Sequence, residues 1–148
     1  MRFLIQRVSE AKVEVDSKTI GEIDRGFLVF VGVSETDTRE VADKLIKKML
    51  GLRIFDDAEG KTNLALSDVG GSLLIMSQFT LFASCKKGNR PSFIKAGPPA
   101  LAEELYEYVI SECKAAGFNV ACGSFGSEMH VSLLNDGPFT IWLDSEEL

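Results

Sequence analysis

From Gly26 to Val33 the chain reads Gly26-Phe27-Leu28-Val29-Phe30-Val31-Gly32-Val33, without one polar side chain. The run is far shorter than the roughly 20 apolar residues a membrane helix requires. Its β-branched and aromatic residues favour extended backbone, and a strand apolar on both faces must be covered on both, so it predicts a central strand. Leu73 to Ala83, preceded by Gly70-Gly71, predicts a second one. Ahead of them, Phe3 to Val8 and Ala11 to Val15 read as strands, with Val13 and Val15 alternating with Lys12 and Glu14. Asp16-Ser17-Lys18 and Asp24-Arg25-Gly26 supply turns, which predicts a meander.

Helical periodicity begins at Thr38. Val41, Leu45 and Met49 recur with Ala42 and Ile46 beside them, charged residues fill the other face, and Gly51 stops the helix after Leu50. Arg53-Ile54-Phe55 predicts a short strand, and Asp56 to Lys61 a polar turn whose acids lack the spacing of a calcium loop. A second helix starts with Pro99 in its first turn, with Leu101, Leu105, Tyr108, Val109 and Ala116 expected on its buried face and Gly117 at its end. Phe118-Asn119-Val120 opens a strand, and Val131 to Asp144 closes the sheet system. Strands with two helices and no regular βαβ alternation predict an α+β fold. The expected form is a β-rich layered sandwich or barrel-like arrangement, both helices on one outer face. A length of 148 residues, with no repeats or linkers, predicts a single domain over 1–148.

Bulk properties exclude several classes of function. Gln6 and Arg7 interrupt the first seven residues, so no signal peptide is expected, and the cytoplasm is the expected location. Three cysteines, Cys85, Cys113 and Cys122, and the single histidine His130 are too few and scattered for a zinc site or a disulfide framework; neither metal nor cofactor is expected. A net charge of −6 opposes nonspecific binding along a nucleic-acid backbone, and DNA is not an expected partner. Lys86, Lys87, Arg90 and Lys95 nonetheless follow one another with no acid between them, either to meet a few phosphates or as a solvated basic loop.

Asn135-Asp136-Gly137-Pro138-Phe139-Thr140 sets a Gly-Pro step between two apolar runs. Proline cannot donate to a ladder, so the pair is a turn or edge, and exposed carbonyls there can also bind with main-chain atoms. Ser77, Gln78, Thr80, Asn135 and Thr140 supply hydroxyls and amides suited to an oxyanion, or simply to hydrogen bonds within the sheet. Paired acids and a Ser-His-Asp set are lacking, so side-chain acid–base catalysis is poorly supplied.

Ser77-Gln78-Phe79-Thr80-Leu81 together with Asn135 to Thr140 resembles the two signature motifs of the D-aminoacyl-tRNA deacylases. Met1-Arg2, Ile5 to Ser9, Leu52 to Phe55, Lys87 to Phe93 and Phe125 to Met129 are similar to that family in the same order, so the likeness spans essentially the whole chain. It implies a homodimer that hydrolyses the ester of D-aminoacyl-tRNA, and of mischarged glycyl-tRNA, with the terminal ribose hydroxyl of the tRNA assisting the attacking water. It implies that Ser77, Gln78, Phe79 and Thr80 form the pocket floor. Thr80 is then a nucleophile or a water positioner, and with no base to activate it, positioning is favoured. Phe79, Phe125 and Met129 would pack against the terminal adenine, although Phe125 and Met129, four apart, also suit a plain core contact.

The likeness further implies a cis Gly137-Pro138 peptide whose carbonyls enter the partner subunit's pocket and exclude L side chains. Asn135 and Thr140 would hold this geometry, and Arg7 would either brace the loop from the other subunit or form a surface salt bridge. Lys86, Lys87, Arg90 and Lys95 would contact tRNA; Asn89, where a further basic residue is common, and Cys85 depart from the family pattern. The competing readings are a non-catalytic nucleic-acid-binding dimer and a purely structural dimer.

Overall fold

The computed structural model describes residues 1–148. Its first strand, β1 (Arg2–Val15), is continuous where the sequence suggested two. Phe3, Ile5 and Arg7 are buried at odd positions, then Val8, then Ala11 and Val13. Such a change of parity requires an extra residue, and the pairing of β1 with the C-terminal strand slips between Val8 and Glu10. Ser9-Glu10 is thus a bulge inside one strand, not a break between two.

At the end of β1, Asp16 (φ 49°) and Ser17 (φ 63°) both take left-handed backbone, the mark of a tight hairpin turn, and β2 (Lys18–Ile23) returns. The expected meander does not form. β2 pairs only with the distal half of β1, so the free edge of the proximal half takes β3 (Gly26–Gly32), with Arg2 opposite Gly32 and Val8 opposite Gly26. After α1 (Arg39–Leu50), β4 (Phe55–Asp56) and β5 (Thr62–Leu64) make a small separate hairpin, so the strand expected at Arg53–Phe55 starts later. β6 (Ser72–Ser77), α2 (Pro99–Ala115), β7 (Val120–Cys122) and β8 (His130–Asp144) follow. The strand order is β2-β1-β3-β6-β7, with β3, β6 and β7 parallel and β8 on the other edge of β1. The sheet curls nearly closed, bringing Gly21 of β2 against the Cys122 carbonyl of β7.

Burial on both faces of β3 and β6 holds as their composition predicts. Phe27, Val29, Leu73 and Ile75 join α1 and α2 in one core, while Leu28, Leu74 and Met76 meet Val8, Ala11, Val13 and Ile23 on the opposite face. Both helices therefore cover one face. Thr38 caps α1, its hydroxyl accepting from the Val41 amide at 3.4 Å, and Ala42, Leu45, Ile46 and Met49 are its buried residues. On α2 the buried set is Ala102, Leu105, Tyr106, Val109, Ile110 and Cys113. Leu105 and Val109 agree with expectation, but Leu101 and Tyr108 are half-buried and Ala116 is exposed just past the helix.

Each aromatic tip on α2 has a partner. The Tyr106 hydroxyl donates to the Ile75 carbonyl at 2.8 Å inside the core, and that of Tyr108 donates to Asp43 on α1 at 2.8 Å. Burial pushes the Cys113 thiol up to about 12, which leaves it a packing group. No helix is long and apolar enough to cross a membrane.

Candidate active site

β3, β6 and β7 run parallel, and the segments leaving their C-terminal ends lie together: a Cβ on Gly32 would meet Leu81, and one on Gly123 would meet Met76 and Met129. β6 stops at Ser77, short of the predicted Ala83. The Gln78 amide still donates to the Val31 carbonyl at 2.8 Å, and Phe79–Phe82 then tightens into one 3₁₀ turn. An apolar run such as Phe79, Leu81 and Phe82 is compatible with strand or turn, and the turn can pack here because Gly32 leaves it room. A Cβ on Gly32 would stand 2.9 Å from the Leu81 Cβ and 3.3 Å from the Gln78 carbonyl.

Within this turn the Gln78 side-chain amide donates to the Thr80 hydroxyl. The Phe79 and Thr80 backbone N–H groups precede the turn's first bond, from the Leu81 amide to the Gln78 carbonyl at 3.2 Å, and so have no partner inside it. Ser77, Gln78 and Thr80 are half-buried. Arg2 holds the turn from beneath: its Nη1 donates to the Leu81 carbonyl at 2.8 Å, and its guanidinium lies 4.4 Å from the Phe82 ring centre and 5.3 Å from that of Trp142. Its Nε donates to Asp144 at 2.9 Å. Burial works to raise the Asp144 carboxyl, but the Glu146 amide and the Arg2 guanidinium outweigh it and hold the group below its ordinary value.

The second motif lies on β8. Gln6 pairs with Thr140 and Val8 with Asn135, so Asp136 to Phe139 stand opposite Arg7 alone and bulge out of the ladder. The Gly137-Pro138 peptide is cis, and Gly137 has a φ of +129°, open to glycine and strained for other residues. Asn135 ties the loop ends together. Its side chain donates to the Phe139 carbonyl at 3.0 Å and to that of Arg7 at 3.3 Å, and accepts from the Phe139 amide at 3.1 Å. The Thr140 hydroxyl accepts from Gln6 at 3.2 Å.

Arg7 braces the loop of its own chain, and the expected salt bridge forms with its arginine end buried. It donates to the Asp136 carbonyl at 2.9 Å and the Ile54 carbonyl at 2.6 Å, pairs with the half-exposed Asp136 carboxylate at 3.7 Å, and sets its guanidinium 4.8 Å from the Phe139 ring centre.

The two motifs stand apart within one chain. Arg7 is opposite Phe27, which is opposite Leu73, whereas Ser77 pairs with Val31. The offset of four residues along β6 corresponds to about 13 Å. Nor do the three expected adenine contacts cluster. Phe125 lies 6.1 Å from Tyr106 in the helix-side core, Met129 packs against the opposite core, and exposed Phe79 meets Phe93 edge-on at 5.1 Å. The basic segment is a projecting loop closed by paired hydrogen bonds between Ser84 and Ser92 at 2.8 and 2.9 Å, with Lys86, Lys87, Arg90 and Lys95 exposed.

Residues 4–144 match the family model for D-Tyr-tRNA(Tyr) deacylase. The D-aminoacyl-tRNA deacylase of Thermosipho africanus (strain TCF52B) is 51% identical over 148 residues, covering 100% of this chain and 99% of that protein. The D-aminoacyl-tRNA deacylase of Haemophilus influenzae (strain PittEE) is 56% identical over 141 residues, 95% of this chain and 97% of that one. The chain belongs to the D-aminoacyl-tRNA deacylase family. It is a hydrolase whose substrate is an aminoacyl-tRNA. A solved structure described as a c-Myc DNA Unwinding Element Binding Protein superposes with a TM-score of 0.92 at 36% identity, covering 97% of this chain and 98% of that one.

For a deacylase the chain presents an unusual donor set. His130 is exposed beside Glu128 at 3.9 Å, and the turn after β6 carries hydroxyls, a side-chain amide and the N–H groups of its first residues in place of an acid–base pair. Sequence reasoning missed Arg2 and Gly32 as supports of this turn. Arg2 and Gly32 face each other across the β1–β3 ladder, a proximity only the pairing register reveals.

Proposed function

We propose that the Ser77–Thr80 turn of one subunit and the Gly137-Pro138 loop of a second copy close over the ester of a D-aminoacyl-tRNA and select it by handedness. The observation that carries this reading is the offset between the motifs: each is rigidly held, but one chain cannot bring them to one ester. A two-fold axis midway between them offers each turn to the partner's loop. The surface at that midpoint carries Leu4 and Gln6 of β1 opposite Trp142 and Thr140 of β8, with Trp142 exposed, which suits contact with its own copy.

In this pocket the substrate ammonium donates to the Gly137 and Pro138 carbonyls. An L side chain collides with fixed backbone, a D side chain points away, and glycine passes, which extends the activity to mischarged glycyl-tRNA. Water held by Thr80 attacks the ester carbonyl, and the Phe79 and Thr80 amides receive the developing oxyanion. The ribose hydroxyl of the substrate takes the water's proton and passes one to the leaving ribose oxygen, releasing D-amino acid and tRNA. Asn135 and Thr140 hold the loop. Phe125, on the segment leaving β7, flanks the terminal adenine, and Met129, whose sulfur accepts from the Ser124 amide at 3.3 Å, holds that segment from the opposite core. Lys86, Lys87, Arg90 and Lys95 meet backbone phosphates in an otherwise acidic protein, an arrangement consistent with work on charged tRNA in the cytoplasm. A net charge of −6 disfavours the alternative of a non-catalytic nucleic-acid binder.

Subunit exchange tests the shared pocket. Thr80→Ala and Gly137→Ala homodimers, each checked for folding by circular dichroism, are expected to be inactive on D-Tyr-tRNA. After mixing and exchange, half the dimers carry one intact site, and activity returns to about a quarter of wild type. Mixed dimers that regain nothing, or a fully active Thr80→Ala protein, overturn the proposal.

A further inference from the structure

We propose that Phe79 and Phe93 form a stacking platform for the unpaired base next to the ester-bearing adenosine, with the basic loop beside it taking that nucleotide's phosphates. This rests on the tRNA-ester reading above and extends it from the terminal nucleoside to its neighbour. Phe79 begins the turn that carries Thr80, so its ring stands at the mouth of the candidate site. It is 55% exposed and meets the Phe93 ring edge-on at 5.1 Å, while Phe93 is 37% exposed and neighbouring Ile94 is 88% exposed. Large apolar groups grouped in solvent at the rim of a site mark a binding surface.

The backbone holds these rings in advance of binding. The paired Ser84–Ser92 hydrogen bonds fix the chain just before Phe93, the Ala96 amide donates to the Phe93 carbonyl at 3.0 Å, and the Gly97 amide ties the segment to Val33 at 2.8 Å. Charge then selects the occupant. From Ser84 to Ala96 there is no Asp or Glu, against Lys86, Lys87, Arg90 and Lys95, in a chain of net charge −6. Aromatic faces flanked by cations fit single-stranded RNA, in which each base offers a π-face and each linkage a phosphate.

Three substrates of increasing length test the platform: 3′-O-(D-tyrosyl)adenosine, the D-tyrosyl ester of the trinucleotide CCA, and D-Tyr-tRNA. Phe93→Ala is expected to lower kcat/KM about tenfold on the trinucleotide and the tRNA, through KM, by loss of one stacking contact. Hydrolysis of the adenosine ester is expected to stay unchanged. Phe93→Tyr should restore the longer substrates and Phe93→Leu should not, a pattern that mere filling of space does not produce. Equal losses on all three substrates, no loss on tRNA, or a change from dimer to monomer in sedimentation of Phe93→Ala overturns the platform. A wild-type protein inactive on all three removes the tRNA-ester reading and the platform with it, whereas an active wild type matched by Phe93→Ala removes the platform alone.

Discussion

Replacing Arg7 by leucine separates what the buried guanidinium does for the fold from what it does for the Gly-Pro loop. It donates to the Ile54 carbonyl at 2.6 Å and the Asp136 carbonyl at 2.9 Å, and hydrogen bonds from a charged donor contribute about 1.5–3 kcal/mol each. The two losses are unequal. The bond to Ile54 is buried, so its carbonyl is left without a partner, whereas exposed Asp136 can turn to water. Releasing a buried cation offsets part of the loss, leaving a net destabilisation of about 2–3 kcal/mol. For a chain of this length that lowers the thermal midpoint by roughly 5–10 °C at fixed protein concentration.

Selectivity should fall as well, because Asp136 no longer anchors Gly137. Hydrolysis of L-Tyr-tRNA is expected to rise relative to D-Tyr-tRNA, read as the ratio of the two kcat/KM values. Arg7→Lys should rescue little, since one ammonium cannot reproduce a planar fork reaching two carbonyls. An unchanged thermal midpoint would refute the energetic argument. A lowered midpoint with an unchanged D-to-L ratio would show that Arg7 supports the sheet and not the loop's geometry.

Gly32→Ala places a Cβ 2.9 Å from that of Leu81, which cannot rotate away, so the Thr80 turn must move; D-Tyr-tRNA turnover should fall by about 10²-fold with far-UV circular dichroism unchanged. Tyr106→Phe removes the donor to the buried Ile75 carbonyl and should lower unfolding free energy in urea by about 1–2 kcal/mol while sparing kcat. Asp144 is held below its ordinary pKa in the folded chain, so between the folded and unfolded values the unfolded state binds more protons. Its contribution is complete above the unfolded value of about 3.9 and is lost as pH falls through the lower folded one; Asp144→Asn should flatten the acid limb of stability against pH.

Periodicity made α1 legible because Thr38, the Ala42–Met49 spacing and Gly51 act locally. The double burial of β3 and β6 was equally legible, since only a covered strand tolerates Gly26 to Gly32 without a polar side chain. What escaped depends on register. The bulge at Ser9-Glu10 looks like a strand break because a parity shift and a turn both interrupt alternation. Phe79-Thr80-Leu81-Phe82 has the composition of a strand, and the room left by Gly32 and the bond from Arg2, both on other strands, favour the turn there. On α2 both tyrosine hydroxyls find a partner, and Tyr106 is the buried one because its partner, the Ile75 carbonyl, lies inside the core whereas that of Tyr108, Asp43, lies at the surface. The Gly137-Pro138 loop was visible as a motif, but its brace, Arg7, lies far away in sequence and became visible only through the β1–β8 pairing.

Both motifs rest on one strand. Arg2 fastens the Thr80 turn and Arg7 fastens the Gly137 loop, and their five-residue separation on β1 spans about 17 Å of extended backbone. Because the side-chain period is two, the arginines project to opposite faces, Arg7 toward the helix-side core with Phe3 and Ile5, Arg2 toward Phe82 and Trp142. Strand rise, a quantity that barely changes with sequence, thus sets the distance between turn and loop. The pocket proposed above needs such a ruler, since a two-fold axis aligns both pockets only if each subunit holds its turn and loop at the same spacing. Chemistry that relies on aimed carbonyls and amides tolerates displacement poorly, and a paired strand is the most rigid support available for it.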